Sequence, residues 1–291
     1  MSFNLQLLFT GIGIGSIYAL VALGFVLIYR ATSVVNFAQG DFAMLGAFAM
    51  VVMAIDLELP YWLSIVITLA ALIAFGALFN LGVYYPLRNR SFLPVIISTI
   101  GASILLENGV LAAYGPHPQS LPSIFDSAGF SIGDIFFDTQ YIIILGVTIV
   151  MVTLQYLFFE RTLLGKKMQA TSQDKEMASL LGVPVALMIM ITFMYSAMLG
   201  GLAGILVAPV LFVSVTMGSS IALKAFAASI IGGFGDVTGA VVGGLALGVI
   251  ETFGSAYVSV PYKDAFAFLV LFVFLLLRPQ GIFGERIAEK A

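Results

Sequence analysis

Three ionisable side chains, Glu107, Lys224 and Glu251, interrupt stretches that are otherwise apolar. Charge inside hydrocarbon is expensive, so such residues mark pairing, proton relay or contact with a polar ligand. A lysine with two carboxylates can pair structurally. It can equally meet a zwitterionic amino acid, the carboxylates facing its ammonium and the lysine its carboxylate. A second polar group is Asn36, Gln39, Gly40 and Asp41. Gly40 and Asp41 read as an irregular turn whose Asp caps the next helix, with Asn36 and Gln39 as candidate pathway contacts. Asn80 and Asn108 suit hydrogen bonds between membrane helices. Other chemistries fail on residue supply. There is no Cys and one His, His117, in the Pro-rich stretch YGPHPQSLPS, so no metal site is expected. Neither HExxH nor GxxxxGK[ST] occurs. The nearest string, Gly165 to Lys167, lacks the upstream Gly and the hydroxyl, leaving no site for ATP on this chain.

Something must hold these groups out of water, and composition says what it is. Of 291 residues, 61% are hydrophobic and 9% charged, against roughly 25% charged in soluble domains. The sequence predicts an all-α, polytopic membrane bundle forming one domain over 1–291. A net charge of −3 gives no basic field for nucleic acid. Crossing the hydrocarbon takes about 20 apolar residues. Segments at 7–29, 42–55, 61–85, 92–113, 141–159, 185–208, 220–234, 237–256 and 264–277 qualify, giving eight to nine transmembrane or re-entrant helices. Those at 42–55 and 220–234 are short for a crossing and are expected to be broken or re-entrant. Gly11 and Gly15, Gly235, Gly239 and Gly243, and Gly244 and Gly248 recur at helical spacing, as helix contact faces do.

Basic residues orient the bundle, because Lys and Arg in short loops stay cytoplasmic. With the N-terminus outside, ten of the twelve Lys and Arg fall on the cytoplasmic side: Arg30, Arg88, Arg90, Arg161, Lys166, Lys167, Lys175, Arg278, Arg286 and Lys290. The C-terminus is then cytoplasmic. The stretch 114–140, which has no Lys or Arg, is an external loop. Its Asp126, Asp134 and Asp138 read as ordinary solvated acids. No basic region precedes Arg30, so the first segment is expected to be a permanent span rather than a cleaved leader.

The remaining extended polar stretch is the cytoplasmic loop 160–184, ERTLLGKKMQATSQDKEMASLLGVP. Asp174, Lys175 and Glu176 open a short helix that Gly182 would close. Met168, Ala170, Met177, Leu180 and Leu181 supply apolar knobs. Such a helix suits a groove on a partner, or lies as an amphipathic linker at the interface.

This loop resembles the coupling segment of permeases of bacterial branched-chain amino acid ABC transporters. The matching residues are Arg161, Thr162, Gly165, Ala170, Ala178, Leu180, Leu181, Gly182 and Val183; Gln169 stands where that family usually has Arg. Ser33 to Phe48, Gly232 to Glu251 and the closing RPQGIFG, Arg278 to Gly284, resemble the same family in the same order. The resemblance implies an inner-membrane permease with no cofactor of its own. Two ATPase subunits would bind ATP and Mg, beside a second homologous permease and a periplasmic binding protein. It also implies that Gly165, Ala170, Asp174, Glu176, Ala178, Leu180, Leu181 and Gly182 form the ATPase-coupling surface. Asn36, Gln39, Glu107, Asn108, Lys224 and Glu251 are the candidate substrate pathway. Leucine-like amino acids, other amino acids, amides and urea fit such a permease. The competing classes are a carrier driven by an ion gradient, with Glu107 or Glu251 taking a proton, and, weakest, an intramembrane enzyme.

Overall fold

The computed structural model describes residues 2–123, 129–132, 135–278 and 280–284. Asp126, Asp134, Arg286 and Lys290 lie outside them. Helix α1 (Ser2–Thr32) is the post around which the rest is built. From Gly11 to Ile28 nearly all of its side chains are buried, and 89% of its most apolar stretch is covered. It packs against α8 (Val185–Val207), α9 (Met217–Gly232) and α10 (Val237–Tyr257). A helix without a polar face can be central only where neighbours cover every side.

Glycine makes that covering close. A Cβ on Gly248 would stand 2.3 Å from the backbone of Gly15, and one on Gly15 2.8 Å from the Gly244 carbonyl oxygen. The antiparallel α1 and α10 therefore meet backbone to backbone, and these glycines pack within the chain. Gly235 differs from the expected contact face. Its φ of 100° places it in the turn between α9 and α10, a conformation costly for residues with a Cβ.

Helix α2 (Gln39–Val51) continues through wider π-type turns at Val52–Asp56. Helix α3 (Tyr61–Phe79) likewise extends through Asn80–Tyr84, and α4 (Phe92–Tyr114) follows. A small antiparallel hairpin, β1 (Phe130–Ile132) and β2 (Ile135–Phe137), interrupts the all-helical pattern, with Phe130 opposite Phe137. Helix α5 (Thr139–Arg161) starts on an N-cap in which Asp138 Oδ1 accepts the Gln140 amide at 2.8 Å. That acid thus has a structural task beyond loop solvation. Then come α6 (Leu163–Gln173), α7 (Lys175–Leu180) and, after α10, α11 (Lys263–Leu277).

Seven described helical stretches are long and apolar enough to span a membrane. Helix α9, with 16 residues, and α11, with 15, are shorter. All nine expected segments are therefore helical. The covering is uneven: 17% of the most apolar stretch is buried in α4 and likewise in α5. Arg30, α6 and the α9–α10 turn gather at one end of the bundle, called here the basic end. The closing Gly281 to Phe283 packs there, Ile282 N–H donating to Ile231 O and Phe283 N–H to Gly232 O, each at 2.9 Å.

Candidate functional site

Helix α2 does not start at the basic end, where α1 stops. After Thr32, Ser33 takes a left-handed φ of 64°, and the non-helical residues 33–38 run back into the bundle. Gln39 then packs on Gly24 of α1 and on Ser196 of α8, its Nε2 donating to Ser196 O at 3.2 Å. Gly24 is eight residues before Thr32, so α2 begins about 12 Å inside the end of α1.

Helix α9 starts inside as well. The chain leaves α8, pairs Val213 with Gln119 through two 2.8 Å backbone hydrogen bonds, and turns inward. A Cβ on Gly40 would meet the carbonyl of Gly218 and the side chain of Ala222, and one on Gly218 would meet Gly40 O and Met44. The first turns of α2 and α9 therefore lie side by side, running in opposite directions. The two segments expected to be broken or re-entrant both begin in the interior, with their N-termini adjoining; α9 is short, whereas α2 with its π-type turns is long enough to be counted as a span. Each N-terminus carries partial positive charge and free amides, which irregular backbone can present only where protein or a polar path surrounds it.

Asp41 stands at this junction. It was expected to cap α2, but the helix already begins at Gln39, with Ala38 as an N-cap that makes no side-chain bond. Asp41 sits inside the first turn instead, 1% exposed, and neither carboxylate oxygen reaches a hydrogen-bond partner among the described residues. Its electrostatic neighbours include Ser103 and Glu107 on α4. The adjoining helix N-termini offset part of the cost of burying its charge. Asn36 is also buried; its Oδ1 accepts the Ala38 amide at 3.2 Å, while its Nδ2 has no partner. Gln39 Oε1 accepts from Ser196 Oγ at 2.8 Å, so this side chain acts as a brace between α2 and α8.

Glu107 is half-buried beside this break. Asn108 is exposed on α4, its Nδ2 donating to Ile104 O at 2.8 Å. Gly101 and Gly109 of the same helix have nothing within 4 Å of a Cβ position.

The structure joins Lys224 to Glu251 and sets Glu107 apart from them. Lys224 Nζ is 2.6 Å from Glu251 Oε1 and 2.7 Å from Asp264 Oδ1, and Tyr18 Oη donates to Glu251 Oε2 at 2.8 Å. Lys224 and Glu251 are each 4% exposed. This clasp ties α1, α9, α10 and α11. Tyr18 and Asp264 were not singled out from sequence. A buried Lys–Glu pair needs further donors and acceptors, and Asp264, in the first turn of an apolar helix, was the available signal.

The stretch 160–184 folds as two helices where one was expected. Thr162 caps α6, its Oγ1 accepting the Gly165 amide at 3.0 Å. Gly165 is buried, and a Cβ there would lie 2.2 Å from Phe158 O, so it sets the close bend beneath α5. Asp174 caps α7, its Oδ1 accepting the amides of Glu176 and Met177 at 2.9 Å. Gly182, at φ 78°, ends α7; Val183 N–H bonds Ala178 O at 3.0 Å, closing a Schellman turn. The signal missed for α6 was this Thr cap followed by Gly165, Met168 and Thr171, the three residues buried on it.

Ala178 is buried and Ala170 half-buried, while Asp174, Glu176 and Gly182 are exposed. Leu180 and Leu181 are 82% and 76% exposed. Lys175 reaches back to α1, its Nζ donating to Thr32 O at 3.2 Å, and partial burial pulls its pKa below the ordinary lysine value. Gln169 Oε1 accepts from Lys166 at 3.3 Å, and Lys166 also pairs with Glu160 at 2.8 Å. No group of three or more metal-ligating side chains occurs among the described residues.

With this geometry in hand, comparison with known proteins is informative. The family described as "Branched-chain amino acid transport system / permease component" matches residues 7–275. The high-affinity branched-chain amino acid transport system permease protein LivH of Escherichia coli K12 is 33% identical, covering 98% of this chain and 97% of that protein. The protein of the same description called BraD, from Pseudomonas aeruginosa, is 32% identical over the same shares. The probable branched-chain amino acid transport permease LivH of Methanocaldococcus jannaschii is 27% identical over 92% of this chain and 89% of its own. Among solved structures, PsaBC from Streptococcus pneumoniae in complex with Fab aligns with a TM-score of 0.50 and 14% identity. The alignment covers 97% of this chain and 94% of that one, a likeness of fold alone.

Proposed function

The chain belongs to the branched-chain amino acid transport system permease component family, and from that premise we propose that it is the membrane conduit of an ATP-driven importer of branched-chain amino acids. The observation that carries this reading is the α6–α7 hairpin. It is braced by Lys175 at the end of α1 and presents Leu180 and Leu181 bare at its tip. Two nearly naked leucines on a capped helix have little to gain from water and about 1.5–3 kcal/mol each to gain from a groove.

The basic end faces the cytoplasm, where short loops retain Lys and Arg. Two ATPase subunits dock there, binding ATP and Mg and pushing on the hairpin. A periplasmic binding protein delivers substrate at the opposite end. A second homologous permease covers the sparsely packed α4, so the pathway runs between the two permeases along α4 and the break at α2. Asn36, Asp41, Glu107 and Asn108 supply its polar wall, the carboxylates suiting the substrate's ammonium. Lys224 and Glu251, already satisfied by one another, hold the bundle together. Closure of the ATPases rocks the hairpin against α1 and α5 and alternates access at the break.

The test is Leu181→Asp. Leu181 is exposed, so the variant should insert and fold as the parent does, yet fail to retain the ATPase subunits in a co-purification. Undiminished co-purification would remove the hairpin from the docking surface.

A further inference from the structure

At the basic end, between α5 and α10 and against the last turns of α1, lies a cavity of about 350 Å³ covered by α6. Leu27, Val152, Val241 and Val242 give its lining an apolar part, and Arg30, Glu160 and Asp236 a polar part that carries both charges. Arg30 makes no ion pair or side-chain hydrogen bond among the described residues. Asp236 caps α10 at the Gly239 amide, and Glu160 is bound to Lys166. The first-turn amides of α10, at Val237 and Thr238, have no intrahelical acceptor.

A second observation points to an absent occupant. Gln155, in the wall, is 1% exposed, and neither its amide nitrogen nor its oxygen has a partner among the described residues. Buried amides in native proteins are nearly always satisfied.

The mouth gives the direction of entry. Tyr156 on its lining is 67% exposed. Ile149, Val150 and Leu154 continue the exposed apolar face of α5, a face that meets the bilayer. We propose that this cavity holds a zwitterionic glycerophospholipid of the surrounding leaflet. Its phosphate lies on Arg30, its ammonium toward Asp236 and Glu160, and its first acyl carbons along the valines. A cation, two carboxylates and apolar side chains lining one cavity match a headgroup bearing both charges better than an anionic one. Because α6 forms the cover through Met168 and Ser172, the lipid also wedges the hairpin against α5. The inference needs only the membrane setting and is independent of the transported substrate.

The experiment is native mass spectrometry of the assembled transporter, stripped of lipid in detergent and reloaded with phosphatidylethanolamine or phosphatidylglycerol at equal mole fraction. Phosphatidylethanolamine should be retained about tenfold more strongly. Val241→Trp, which fills the slot, should abolish that retention. Arg30→Gln, at an exposed position, should weaken it about tenfold with thermal stability unchanged. Equal retention by Val241→Trp and the parent would overturn the assignment. So would phosphatidylglycerol held as strongly as phosphatidylethanolamine, or displacement of the lipid by free leucine, which carries the same pair of charges.

Discussion

Two carboxylates buried in one bundle sit in opposite circumstances. Glu251 is held by Lys224 and Tyr18; Asp41 has no hydrogen-bond partner among the described residues. Removing one member of a buried ion pair strands the other charge, at about 3–5 kcal/mol, whereas a partner half in water matters much less. Lys224→Met should therefore lower the thermal midpoint in detergent strongly. Asp264→Asn, at a position 57% exposed on the same lysine, should change it little. Equal effects would mean that the clasp is not what secures α9 to α10. From sequence, the expense of charge in a span was enough to single out Lys224 and Glu251. It could not say which acids shared the lysine, because a helix fixes depth but not which neighbour it turns toward. Glu107 lies instead toward Asp41 on α2, and Asp41 read as a cap because an Asp after Gly40 is what a helix start looks like locally.

Individual helices were legible where their signal is local. All nine segments are helical, and the helix start at Asp174 and the stop at Gly182 stand where residue type placed them. The two short segments were recognised as unusual from their length. That their first turns adjoin depends on Gly40 meeting Gly218 across 178 positions of sequence, which no local pattern encodes. The α1–α10 contact offers the sharpest test at this level. A side chain at Gly248 would be driven into the backbone of Gly15, which cannot yield as a flexible side chain can. Gly248→Val should cost about 1–3 kcal/mol or more through overpacking and depress the thermal midpoint. Gly101→Ala on α4, in open space, should leave it unchanged or slightly raised. If the two substitutions behave alike, α1 and α10 are not in backbone contact.

The whole molecule is a central post, a ring of helices around it and a hairpin projecting from its basic end. Composition indicated that the solvent is lipid. What sequence could not give is the unevenness of the ring. Helix α5 is as apolar as α1 and yet, like α4, far less covered, a difference that appears only once the helices are assembled. On this account the uncovered α4 awaits a second permease, and the hairpin awaits ATPase subunits. Uptake of labelled leucine into proteoliposomes tests that division of labour most directly. The chain should transport only when reconstituted with its homologous permease and ATPase subunits, with binding protein and ATP supplied. Uptake should cease in Leu181→Asp and be indifferent to an uncoupler. Uptake by this chain alone, without ATP and abolished by an uncoupler, would contradict the account.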